Sequence, residues 1–182
     1  MIATSLKVLG MGLVGLTVVA LAACTAPPQN GPLVGPRSAA GAVVFCAPAR
    51  DVDAQKFYAE SLTNLGTDSI EILDISGSGQ SINTPTYGLD LEAKEDELLG
   101  SWWWPSTGEP GVELAMKRMT APVGVIIEPG HSVELFAGFS PTEQGGQGSL
   151  EKTVVEYASG GTKFREEILV HYQLREGDGC EK

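Results

Sequence analysis

The chain has 182 residues, 12 basic and 23 acidic, with a formal charge of −11. That length holds one ordinary domain with appendages, and an acidic chain without a basic stripe excludes a nucleic-acid binder, because neutralising phosphates needs clustered Lys and Arg. The 23 glycines and 11 prolines suit strands and turns, and the odd number of cysteines, 3, gives one of them a role outside a pair.

Met1 to Leu21 carries a single charge, Lys7, ahead of an uncharged run rich in Leu, Val, Gly and Ala. A positive start, an apolar middle and a small-residue exit form the pattern of a secretory signal. The apolar run stops near Ala26, before Pro27-Pro28, and contains three glycines. It is therefore short for a membrane span, which needs roughly 20 apolar residues. The exit reads Leu21-Ala22-Ala23-Cys24 and resembles the lipobox of bacterial lipoproteins. That resemblance implies cleavage after residue 23 and a diacylglyceryl thioether on Cys24, and so a protein held outside the cytoplasm at a cell membrane. Each buried CH₂ of an acyl chain contributes about 0.8 kcal/mol, so two or three chains retain a soluble domain at a bilayer.

Residues 24–41 contain Pro27, Pro28, Pro32 and Pro36 and a single charge, Arg37, and read as a flexible tether. Residues 42–182 then form one domain holding all 23 acids against 10 Lys and Arg. Short apolar or alternating runs divided by turn residues predict a β-sandwich. The expected strands are 42–46, 55–62, 70–75, 111–119, 123–127, 131–139, 153–157 and 163–174, with Ser76-Gly77-Ser78-Gly79 as a loop. Residues 89–99 have the spacing of one or two helical turns on an acidic surface.

Three stretches carry turn chemistry: Asn64-Leu65-Gly66 between two strands, Pro129-Gly130 before a long strand, and Phe139-Ser140-Pro141 at its end. Together they resemble the immunoglobulin-like sandwich typified by ASH/MSP-type domains, over roughly residues 55–174. The resemblance implies an all-β, immunoglobulin-like β-sandwich with no catalytic residues, in which residues 85–110 form an insertion.

With Cys24 lipidated, Cys46 and Cys180 remain, one in the first expected strand and one past the last. Export permits them to form a disulfide, the alternative being two free thiols. The run Trp102-Trp103-Trp104-Pro105 is bounded by Gly100 and Gly108. If extended, it points Trp102 and Trp104 one way and Trp103 the other. The indoles either roof the core or form an aromatic platform for a sugar ring or a bilayer interface, with at least one facing solvent for want of a second core. Met116 and Met119 with His131 and His171 contain the ligand types of a copper site but lack its spacing. Ser149-x-x-Lys152 lacks the companion boxes of the penicillin-interacting enzymes, the glycines at 77 and 79 have no following Lys-Ser/Thr, and the acids at 90–97 lack EF-hand order and are expected to solvate a face.

The expectation is a lipid-anchored, non-enzymatic envelope module without a cofactor, whose partners are the membrane and an envelope protein or glycan. The alternatives are a carbohydrate or solute binder using Trp102–Trp104, and an envelope metallochaperone.

Overall fold

The computed structural model describes residues 30–35, 43–50, 52–92, 100–105, 108–176 and 180. Residues 1–23, expected as a signal, and Cys24 lie outside the described residues. Strands hold 58% of the described residues and helix 7%, which places the domain in the all-β class.

Two sheets face each other. The first runs β1 (Leu33–Val34), β3 (Gln55–Asn64), β8 (Ser132–Phe139), β5 (Thr86–Asp90), with β6 (Ser101–Trp104) beside β1 on the same edge of β3. The second runs β2 (Val43–Pro48), β11 (Val170–Arg175), β9 (Gly148–Ser159), β4 (Ile70–Gln80), β7 (Ile126–Ile127), with β10 (Thr162–Ile168) also on β9. Among the described residues the pairings are antiparallel except that of β2 with β11, which is parallel. The chain crosses between sheets from β3 to β4, β4 to β5, β6 to β7, β7 to β8 and β8 to β9. Its first strand is shared, β1 lying in one sheet and β2 in the other. This is the immunoglobulin-like order.

Period-two alternation builds the core. Tyr58 and Leu62 of β3, Val133, Leu135, Ala137 and Phe139 of β8, and Val155 and Tyr157 of β9 meet between the sheets. The next residues on β3 and β8, Phe57 and Phe136, point outwards, where α1 (Pro110–Arg118) covers them and forms a second, smaller core.

Several segments depart from the sequence expectations. Residues 111–119, expected as a strand, are mostly helix. Pro110 opens it, Glu113 lies in its first turn and Lys117 and Arg118 in its last, each complementing the helix dipole. Val112, Ala115, Met116 and Met119 recur at helical spacing and meet the outer core.

The glycine tract 76–79, expected as a loop, is the second half of β4. A side chain at Gly77 would overlap Tyr87, and one at Gly79 the Ser149 carbonyl, so glycine here permits close strand approach rather than a turn. Residues 85–110 are not an insertion beside the sandwich, because β5 and β6 are two of its strands. Of the helical turns expected at 89–99, Leu89 and Asp90 end β5, and 93–99 lie outside the described residues.

A further departure concerns the expected tether, of which residues 30–35 are described and Leu33–Val34 form β1. Leu33 pairs with Asn64, is fully buried, and donates its N–H to the Tyr157 hydroxyl at 3.2 Å. The run from 163 to 174 is also two strands rather than one, broken at Leu169, so that β10 pairs with one half of β9 and β11 with the other.

Each end of the sandwich gathers its own turns. The entry pole holds Pro32, turn 65–69, turn 128–131 and the hairpin Gly160-Gly161. Pro129-Gly130 makes the expected positive-φ turn, with φ 73° at Gly130. Asn64 differs from expectation, since it lies within β3 and acts through its side chain. Its amide donates to the carbonyls of Asp68 and Ile127 at 2.9 Å, and its oxygen accepts the Gly66 N–H at 2.9 Å. The far pole holds the β2–β3, β4–β5 and β8–β9 connections and Pro105.

Candidate functional site

The tryptophan run is β6, antiparallel to the start of β3, with Trp102 opposite Phe57, Trp103 opposite Lys56 and Trp104 opposite Gln55. The expected alternation holds. Trp102 and Trp104 join the outer core and Trp103 packs against the inner one. Trp102 is 4% exposed, stacked 5.7 Å from Phe57 and edge-on to Phe136 at 5.0 Å. The premise that no second core exists does not hold, because α1 provides one. Trp103 and Trp104 remain half-buried at the far pole.

Two cations converge on Trp103. The Arg50 guanidinium lies 5.2 Å from its ring, and the Lys56 ammonium lies 5.6 Å from the same ring and 5.8 Å from that of Tyr58. Lys56 is only 8% exposed. Burial, then the nearby Arg50 charge, lowers its pKa from the usual lysine value, with Glu109 opposing. Beside this group, Val52, Asp53, Ala54, Pro105 and Gln144 line an open cleft of about 360 Å³. Indole and phenol faces under two cations suit a ligand that presents an anionic or polar group above a flat apolar surface. Sequence reasoning found Trp103 but missed Lys56, which joins it through the β3–β6 register, and Arg50, which reaches it from the β2–β3 connection.

A second cleft of about 440 Å³ opens at the same pole between the ends of β4, β9 and β11. Its polar groups bond one another. Gln80 Nε2 and Ser149 Oγ both donate to Glu151 Oε1, at 2.6 and 3.2 Å, and Arg175 donates to Gln173 Oε1 at 2.9 Å. Ser149 and Lys152 of the Ser-x-x-Lys run are both engaged by carboxylates, Ser149 by Glu151 and Lys152 by Glu167 at 2.6 Å. Nearer the entry pole, Glu60 lies between β1 and β6 on β3. Burial pushes its carboxyl up to about 7.

The Cys46 and Cys180 Cα atoms are 5.5 Å apart and joined by a disulfide, which ties the tail beyond β11 to β2. Met116 is in α1 and Met119 at its C-terminal cap, both against the outer face of the first sheet, His171 is on β11 of the second, and the His131 ring meets the Pro129 carbonyl at 3.2 Å on the entry pole. These four are therefore not brought together. Asp90 is not a solvated acid, being fully buried and paired to Arg118 at 2.8 Å, which pins α1 to β5.

The strand order, crossovers and split first strand define the class, a disulfide-closed immunoglobulin-like β-sandwich. No protein-family model matches the chain, and no curated protein matches it. Among solved structures it is similar to the ASH / PapD-like domain of human CEP192 (PapD-like domain 7), at 12% identity and TM-score 0.44, over 90% of this chain and 99% of that one. It is also similar to the VesB protease of Vibrio cholerae, at 11% identity and TM-score 0.41, over 79% of this chain and 32% of the protease.

Proposed function

We propose that the protein is a lipid-anchored, extracytoplasmic, non-enzymatic binding module of a cell envelope. The observation that carries this reading is the lipobox run Leu21-Ala22-Ala23-Cys24 upstream of a sandwich closed by Cys46–Cys180. Structural disulfides persist in oxidising compartments, so the bridge supports export independently of the signal. The signal supplies the address, and Cys24 the anchor. Ligand capture falls to the far pole, where Trp103 lies beneath Arg50 and Lys56. An envelope protein or a glycan with an acidic group meets the chemistry of that surface.

Expression of the full chain in a bacterial host tests the anchor. Wild type should fractionate with membranes carrying lipid on Cys24, whereas Cys24→Ser should accumulate uncut. A mature chain with an unmodified Cys24 would refute it. For the far pole, Trp103→Ala with Arg50→Ala should reduce capture of acidic glycans or envelope proteins at least about tenfold while the fold persists. Unchanged capture would leave the pole without a role.

A further inference from the structure

We infer that the short tether holds the entry pole against the bilayer, with Leu65 as its lipid-facing tip, and turns the Arg50–Lys56–Trp103 pole away from the membrane. The inference rests on lipidation of Cys24 and goes beyond it, because anchoring alone sets no orientation.

Three observations carry it. The sandwich begins early. Besides the burial and pairing of Leu33, Leu65 donates its N–H to the Pro32 carbonyl at 2.9 Å, and any side chain at Gly31 would overlap Tyr157 and Phe164. The chain is thus seated on the entry pole from about Gly31 onwards.

The reach from the anchor to that pole is small. Only six residue steps separate Cys24 from Asn30, and at full extension they span about 21 Å. By contrast β3, with 10 residues, runs about 30 Å from pole to pole. An inverted domain would need a tether longer than the sandwich, and this one is shorter. The bilayer that carries the anchor is therefore not the surface Trp103 meets, which removes membrane contact as the reason for the exposed aromatic edge and leaves a partner approaching from outside.

One side chain of the entry pole agrees. Leu65 is 69% exposed at the tip of the β3–β4 turn, an apolar side chain on the surface nearest the anchor. Its backbone is committed on both flanks, by Asn64 to His131 and by Leu65 to Pro32, so the tip is presented rigidly.

The test uses the full lipidated chain in phosphatidylcholine–phosphatidylglycerol vesicles doped with a headgroup-nitroxide lipid. A fluorophore is attached at Leu65→Cys or, on the same turn, Thr67→Cys, and in a separate protein at Asp53→Cys on the far pole. Quenching should be at least about threefold stronger at 65 and 67 than at 53. Equal quenching, or stronger quenching at 53, in a chain whose intact mass includes the Cys24 lipid would overturn the orientation while leaving the anchor standing. A chain without that mass overturns both. Inserting a Gly/Ser segment after Thr25, long enough to bring the reach to about 70 Å, should move the quenching ratio towards one. A ratio that does not move overturns the tether as the cause.

Discussion

The two faces of the first sheet are built differently. Its inner face meets the second sheet along the whole length of β3 and β8, and the apolar residues there come from eight or more strands. Its outer face is covered only where α1 lies. Val112, Ala115, Met116 and Met119 close over Phe57, Trp102 and Phe136, with Trp104 at the border. The inner core depends on chain segments far apart in sequence, whereas the outer core depends on one nine-residue helix held at its end by Arg118 and Asp90. An inner defect therefore loosens the domain, and an outer defect releases a helix. Exposure of the tryptophan run follows from the second.

The largest expected separation comes from the disulfide, which touches only the second sheet. Closing a loop with a sequence separation of 134 is worth up to about 5 kcal/mol in the chain-entropy limit. Cys46→Ala with Cys180→Ala should lower global stability in urea by up to that amount, while the local opening energy of α1, read by hydrogen exchange at 112–118, stays as it was.

Next, Leu135→Ala in the inner core should cost about 4 kcal/mol globally, and Trp102→Ala in the outer core about 3 kcal/mol. Only the second should open α1 below the global unfolding energy. If both substitutions act globally, the two cores are one cooperative unit. A comparable effect is expected from Arg118→Met. It leaves the buried Asp90 carboxylate uncompensated, at about 3 kcal/mol, and adding Asp90→Asn should recover much of the loss.

The smallest effect concerns pH. Burial raises Glu60 to about 7 from an ordinary value near 4.5. The folded state therefore holds this proton more tightly than the unfolded one. The resulting stabilisation is complete below about pH 4.5 and is lost as pH rises through 7. Glu60→Gln should melt with wild type at pH 4.5 and a little above it at pH 8. Identical melting at both pH values would show that the carboxyl is well solvated.

Much of the inner core was legible. His131 to Phe139 alternates apolar and other residues, and β8 follows it closely. The Pro129-Gly130 reversal was readable because proline and glycine dictate backbone angles directly. The helix at 110–118 was legible too but misread. Val112, Ala115, Met116 and Met119 carry its period, whereas a strand expectation attended only to the run's length and its flanking turns. At the candidate site the indoles stood out by composition. The two cations did not, since nothing local to Arg50 or Lys56 distinguishes them from surface charges.

Sequence alone determined what depends on neighbouring residues: turns written in Pro and Gly, and the period that makes strands. The tertiary structure alone decided what depends on register and crossing. It turned the Gly77 and Gly79 tract into strand, because two chains approach too closely there for side chains. It took Leu33 out of the tether by pairing it with Asn64, and it set Trp102 and Trp103 in different cores by pairing β6 with β3. The physical reason is that a strand is half a surface. Its own residues specify which side chains share a face, and only the neighbour across the ladder specifies what that face will meet.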